Sequence, residues 1–501
     1  MSSTNSTFEN QSSNPRFSAG QGLSGAGFVL ASTVVGQFFF FLAQRSILSS
    51  ISKEENGFIS FIFLWCSIVF GILVDSGMQG ISLRNAVRNP ESLPRILTTI
   101  FWIRSTGAVI GIFLMVSYFA VTDTSRILYA LAGIAYYLIS ARTQLLRSTV
   151  ELPYRSSLRM RTISIITVAE YFFFFLLIRF VITDLHANIV LLCYVIASLP
   201  GYLYLSTRRE IRHVYKQLPE WNDVKNFLND IAPITIQMLL LQIHSTIDLL
   251  YLNTLGFESI GIIGATSNMV FALSMTYTAI SSVTVPLLSQ QGDGTAETEF
   301  RRITRVFNIV VFIMGVIVMI GSSASSLLIL IFSNNRYAGN DGILQLQFFF
   351  IALTFIANLS GVIEMTLHER RIMILSGIIL ILGSMTSIWW MVDVFGLHGY
   401  LYSKIWSNGL YVLLFFFVLY RRYSTRHMLR VAIPVMLYSC ICIMYVMLVS
   451  GNINQWVAMV GGGMIAVVSA YALRLLGKDD LILLRSPFQK VRGMIARSER
   501  T

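Results

Sequence analysis

Charge is scarce in this sequence: 12% of its 501 residues are Asp, Glu, Lys or Arg, while 55% are hydrophobic and the mean hydropathy is +0.67. Soluble domains carry roughly 25% charged residues, so an ordinary water-soluble protein is excluded and most of the chain belongs in lipid. Cysteine is nearly as sparse. Cys66, Cys193, Cys440 and Cys442 all fall inside apolar segments, which indicates packing residues and no disulfide framework. The first residues, 1–22, are rich in Ser and Asn and lack the apolar run of a signal peptide; they read as a disordered tail, and insertion is left to the first apolar helix. Walker loop, dinucleotide fingerprint, kinase signature and metal cluster are all missing, which removes the case for ATP hydrolysis and for a bound cofactor. Gly461 to Gly463 lie within an apolar helix, where small residues allow close packing.

What the chain does have is a series of segments that are apolar all the way round, such as Ile59 to Leu73 and Ile309 to Ile320. A ruler of about 20 apolar residues per span gives about fourteen spans. They are expected near 26–50, 58–80, 97–121, 126–148, 162–183, 187–207, 231–255, 261–286, 304–332, 343–367, 372–394, 398–420, 431–449 and 456–476. The fold class predicted is therefore all-α and membrane-embedded.

Basic residues mark alternate connections. Arg84, Arg88 and Arg95 follow the second span; Arg155, Arg159 and Arg161 the fourth; Arg208, Arg209, Arg212, Lys216 and Lys225 the sixth. Arg301, Arg302 and Arg305 continue the pattern, as do Arg370 and Arg371, then Arg421, Arg422, Arg426 and Arg430. Opposite connections hold little base, with Lys53 beside Glu54 and Glu55, and Arg336 near Asp341. The positive-inside rule then places both termini in the cytoplasm of a multi-pass protein. Basic loops facing anionic headgroups account for the net charge of +12 without a nucleic-acid partner.

A repeat organises these spans. Leu48 to Ser60 recurs without a gap as Leu252 to Gly264, pairing Leu48 with Leu252, Glu54 with Glu258, Gly57 with Gly261 and Ile59 with Ile263 at an offset of 204 residues. Each copy follows a long apolar segment. An even number of spans separates them, so the two units share one orientation, as in a parallel repeat. The expected organisation is a tail over 1–22, a first lobe over 23–207, a cytoplasmic linker over 208–230, a second lobe over 231–420, two added helices over 421–476 and a basic tail over 477–501. No expected outer connection is long enough to hold a soluble domain.

Ionisable and amide side chains inside spans are the candidate functional residues, because each costs a few kcal/mol unless it faces protein or a water-filled cavity. Gln237, His244 and Asp248 recur at helical spacing along one face of the seventh span, and Gln37 and Gln44 do so on the first, where Gln44 is the repeat counterpart of Asp248. Such stripes either line a cavity between the lobes or hydrogen-bond within each lobe. Arg45, Asp75, Arg142, Arg179, Lys404 and Asn408 complete the substrate-cavity candidates; snorkelling offers a second account of Arg45 and Arg179. Glu170, Asp248 and Glu364 are the ion-coupling candidates, with Glu170 expected to be paired or protonatable.

Arg45 with Leu48 to Phe58, Val74 to Gly77 through Leu83 and Arg84, Ala232 and Pro233 through Asp248, Gly261 to Ser267 and Pro286 to Ser289 together resemble the polysaccharide-repeat-unit flippases (Wzx type) of the multidrug/oligosaccharidyl-lipid/polysaccharide exporter superfamily, and Leu475 to Leu481 resembles tails in exopolysaccharide and teichuronic-type exporters. The resemblance implies two six-helix lobes in a V around a central cavity, with two further C-terminal helices. It also implies alternating-access movement of an undecaprenyl-diphosphate-linked oligosaccharide, with the lipid bilayer, a polysaccharide polymerase and a chain-length regulator as partners. A drug/cation antiporter or lipid II flippase of the same superfamily remains an alternative, as does a membrane oligosaccharide polymerase, an enzyme that the short outer connections argue against.

Overall fold

The computed structural model describes residues 19–475 apart from 76–77, 123, 144, 158, 183, 213, 272–295, 367–369, 424 and 450–453. The described residues are almost entirely helical. Among the described residues ten helices are long and apolar enough to cross a bilayer, making this a multi-pass membrane protein. In lipid every backbone N–H and C=O must be satisfied within its own segment, and an apolar sequence of this length answers that only as a helix.

The first lobe contains α1 (Ala19–Ser50), α2 (Lys53–Phe70), α3 (Met78–Arg88), α4 (Leu93–Thr122), α5 (Ile127–Ile139), α6 (Leu145–Ser156), α7 (Met160–Leu176) and α8 (Ala187–Ser206). A short α9 (Arg209–Arg212) leads to the second lobe: α10 (Trp221–Leu252), α11 (Phe257–Phe271), α12 (Ala296–Ser323), α13 (Ser325–Ser333), α14 (Asp341–Thr366), α15 (Arg370–Phe395) and α16 (Leu397–Tyr423). Finally α17 (Thr425–Val449) and α18 (Gln455–Ala472) pack on α12. The segments expected as first, fourth and seventh spans fall on α1, α5 with α6, and α10, which are not among the ten, while the expected eighth span begins on α11 and its residues 272–286 lie outside the described residues.

Local chemistry sets several boundaries. Ser52 caps α2: its hydroxyl accepts from the Glu55 N–H at 3.1 Å while the Glu55 carboxylate accepts from the Ser52 N–H at 3.1 Å, a reciprocal capping box. Helix α2 ends in a π-turn over Gly71–Asp75, and α7 ends in another over Leu177–Val181. The linker expected over 208–230 is helical from Trp221, because α10 runs unbroken to Leu252.

The fourth span, expected as one helix over 126–148, is a correction. Helix α5 stops at Ile139 and α6 starts at Leu145. Side chains from neighbouring helices satisfy the freed backbone: the Arg104 guanidinium donates to the Leu145 carbonyl at 3.0 Å, and the Glu170 carboxylate accepts from the Ala141 N–H at 3.2 Å. Broken backbone at membrane depth is stable only where protein supplies such partners.

The lobes meet most extensively along α2 and α11, the helices that follow the two repeated turns. One buried apolar cluster runs through both, joining Leu48, Ile59 and Ile62 to Leu252, Ile260 and Ile263. The end carrying these turns is called here the hairpin end, and the opposite one, bearing the arginine-rich connections, the basic end.

Candidate functional site

The repeat explains why α2 and α11 come so close. A Cβ on Gly57 would lie 2.7 Å from the carbonyl carbon of Phe257, and one on Gly261 would lie 3.0 Å from that of Lys53, nearer still to each oxygen. Phe257 stands 204 residues after Lys53, so these are one contact seen from both repeats. Ser60 and Gly264, also repeat counterparts, meet each other on the same line. Glycine here permits backbone-to-backbone approach, as small residues do in membrane helix pairs.

Polar contacts fasten this crossing. Lys53 pairs with Glu258 at 3.1 Å, the Asn56 amide donates to the Gly261 carbonyl at 2.8 Å, and Arg336 donates to the Ile51 carbonyl. The Arg126 guanidinium lies 4.9 Å from the Phe58 ring centroid and 5.1 Å from that of Phe257, one ring from each lobe, a cation–π contact on two faces. The hairpin end is therefore closed. Deeper, Gln242 of α10 donates to Ser67 of α2 at 2.8 Å.

Below this closure the interruption between α5 and α6 carries Arg142 toward the second lobe. Its guanidinium donates to the Asn268 side chain of α11 at 3.2 Å and lies 4.9 Å from the Phe40 ring centroid of α1. Arg142 is half-buried, so a cation sits at the lobe junction beside an amide and an aromatic face. A guanidinium in such surroundings is suited to binding phosphate oxygens.

Behind Arg142 lies a network that sequence reasoning missed. Arg104 and Arg147 are both enclosed, 1% and 0% exposed, yet each is ion-paired. Arg104 bonds Asp75 at 2.8 Å and also reaches Ser148 and Thr149. Arg147 bonds Glu151 at 2.8 Å and Glu170, while Arg155 holds the far side of Glu151 at 2.7 Å. Ser198 donates to Glu170 at 2.6 Å. The signal in the sequence was the i, i+4 ladder Arg147, Glu151, Arg155, which reads as a surface motif until α6 is seen to be buried.

The remaining candidates separate. Gln44 is buried and donates to the Tyr194 hydroxyl, and His244 bonds Ser384 at 2.9 Å; both make these hydrogen bonds inside their own lobes. Lys404, 2% exposed, donates to the His244 carbonyl at 2.7 Å, and Asn408 to the Lys404 carbonyl at 2.9 Å, so these three form one group in the second lobe. Gln37 is half-buried, and Arg45 and Arg179 are exposed. The side chains of Gln237 and Asp248 lie outside the described residues. Glu364 is fully buried, with Ser376 at 3.3 Å and Tyr411 at 3.4 Å from one carboxylate oxygen.

Neither a protein-family model nor a curated protein sequence matches the chain. Solved structures do. The lipid II flippase MurJ in an inward closed conformation superposes with a TM-score of 0.58 at 13% identity, covering 90% of this chain and 100% of that one. A multidrug resistance MATE family transporter of the MOP superfamily matches in its inward-facing conformation with a TM-score of 0.56 at 14% identity, covering 79% of this chain and 98% of that one. A multidrug resistance MATE family transporter in an outward-facing conformation gives 0.55 at 13%, covering 79% of this chain and 95% of that one. At such identities the likeness is one of fold, and it runs across both lobes: the chain has the fold of MOP-type transporters.

Proposed function

We propose that this protein is a flippase that carries an undecaprenyl-diphosphate-linked oligosaccharide across the cytoplasmic membrane for surface polysaccharide biosynthesis, by alternating access between the lobes. The observation that carries this reading is Arg142, held at the lobe junction by an interrupted helix, with Asn268 and Phe40 beside it. A diphosphate calls for a guanidinium, and the sugar next to it for an amide and an aromatic face. The lipid chain stays in the bilayer. With the basic end in the cytoplasm, as the charge pattern has it, the closed hairpin end is the outer mouth, and cargo enters from the cytoplasmic leaflet. Polymerase and chain-length regulator then act on the delivered repeat unit.

Deletion followed by lipid analysis tests this. Undecaprenyl-linked oligosaccharide should accumulate on the cytoplasmic face, and Arg142→Ala should fail to restore surface polysaccharide at normal protein levels. Accumulated repeat units on the outer face would point to a polymerase, accumulated lipid II to a cell-wall precursor flippase like the MurJ neighbour, and drug sensitivity with intact surface polysaccharide to a multidrug exporter like the MATE neighbours. Any of these three outcomes replaces the reading.

A further inference from the structure

Three carboxylates are fully buried among the described residues: Glu151, Glu170 and Glu364. The first two, in the first lobe, are held by arginines. Glu364 of α14 has no arginine among its described partners. Its described partners are two neutral hydroxyls, Ser376 of α15 and Tyr411 of α16, both on the same oxygen, while Oε1 is enclosed with no hydrogen-bond partner. The helices packed against α14 bring no described cation to it. Arg301, Arg302 and Arg305 of α12 are exposed, Lys404 of α16 donates to the His244 carbonyl, α13 carries no charge, and Glu258 of α11 lies at the opposite end; the Arg370 and Arg371 side chains of α15 lie outside the described residues.

An ionised carboxylate enclosed in this way without a counter-ion carries a desolvation penalty of several kcal/mol. Two events relieve it, a proton or a bound metal cation. Hard cations take about six or more oxygen ligands, whereas the described donors here are one carboxylate and two hydroxyls. A proton needs only Oε1.

We propose that Glu364 is a proton-binding site of the second lobe, neutral in the arrangement seen here and exchanging its proton at the basic end, two residues before α14 stops. Tyr411 sits against Gly361, where a Cβ would lie 2.7 Å from its hydroxyl, so the Glu364–Tyr411 contact reports how closely α14 and α16 pack. Loss of the proton leaves a charge at that junction and favours an arrangement in which water reaches it. The proton site thus stands in one lobe, while the charged network behind Arg142 stands in the other. Its purpose as the coupling ion rests on the transporter reading; its protonation does not.

Infrared difference spectra of the full chain in lipid, recorded across a pH series without cargo, test the site. The wild type should show the C=O stretch of a protonated carboxyl at neutral pH, and Glu364→Gln should lose that band. Tyr411→Phe, which deletes one hydroxyl and keeps the carboxyl, should shift the band without abolishing it. A band unchanged in both variants, or its absence from the wild type at neutral pH, overturns the proposal whatever the cargo is. A wrong cargo leaves the spectra as they are.

Discussion

Replacing Gly57 by alanine should loosen the closed hairpin end. The new Cβ would stand 2.7 Å from the Phe257 carbonyl carbon, where ordinary contact begins at 3.4 Å, and backbone cannot swing aside as a side-chain tip can. The carbonyl oxygen lies nearer still, so α2 and α11 must separate by roughly 1.5 Å, an overpacking cost of about 1–3 kcal/mol. With α2 and α11 apart in an externally open state, as alternating access requires, that cost would fall on the closed state alone and shift the equilibrium by roughly 5- to 150-fold toward opening. Spin labels at the exposed positions Glu54 and Thr254, with the exposed Cys440 replaced, read the outcome as a longer distance population. Gly261→Ala, pressing on the Lys53 carbonyl from the other repeat, should act in the same direction. A distance distribution unchanged in both variants, with only a lower melting temperature, would refute the view that this crossing opens.

Glu170→Ala should unfold the first lobe rather than disable transport selectively, since it leaves the enclosed Arg147 with Glu151 alone and orphans the Ala141 N–H. The expected loss is about 3–5 kcal/mol, measured by thermal unfolding in detergent; a variant as stable as wild type would show that the network is not an anchor. Lys53→Glu should weaken the closed state by less than about 1 kcal/mol, since the pair is partly exposed and salt-screened. The swap Lys53→Glu with Glu258→Lys should restore the wild-type label distances, and failure of the swap would remove the pair from the closure.

The membrane class was legible because lipid leaves a chain few choices: hydrophobic length sets spans. Gly57 and Gly261 were visible as a matched pair, though nothing in one dimension says that they touch. The site was less legible. Arg104 and Arg147 were not among the candidates, and Gln44 and His244 read either as cavity lining or as internal hydrogen bonding.

By itself, then, the sequence determined that this chain must be helical and lipid-embedded, because hydropathy and periodicity are local properties that the bilayer enforces segment by segment. Only the tertiary structure decided which charges neutralise one another. Asp75 with Arg104, and Glu170 with Arg147, are partners 29 and 23 residues apart, brought together where the π-turn after α2 packs on α4 and where α6 packs on α7. The structure also decided which buried carboxylate, Glu364, has no counter-ion among the described residues. Pairing and burial are relations between helices, fixed by how they pack, and no stretch of a single helix carries them.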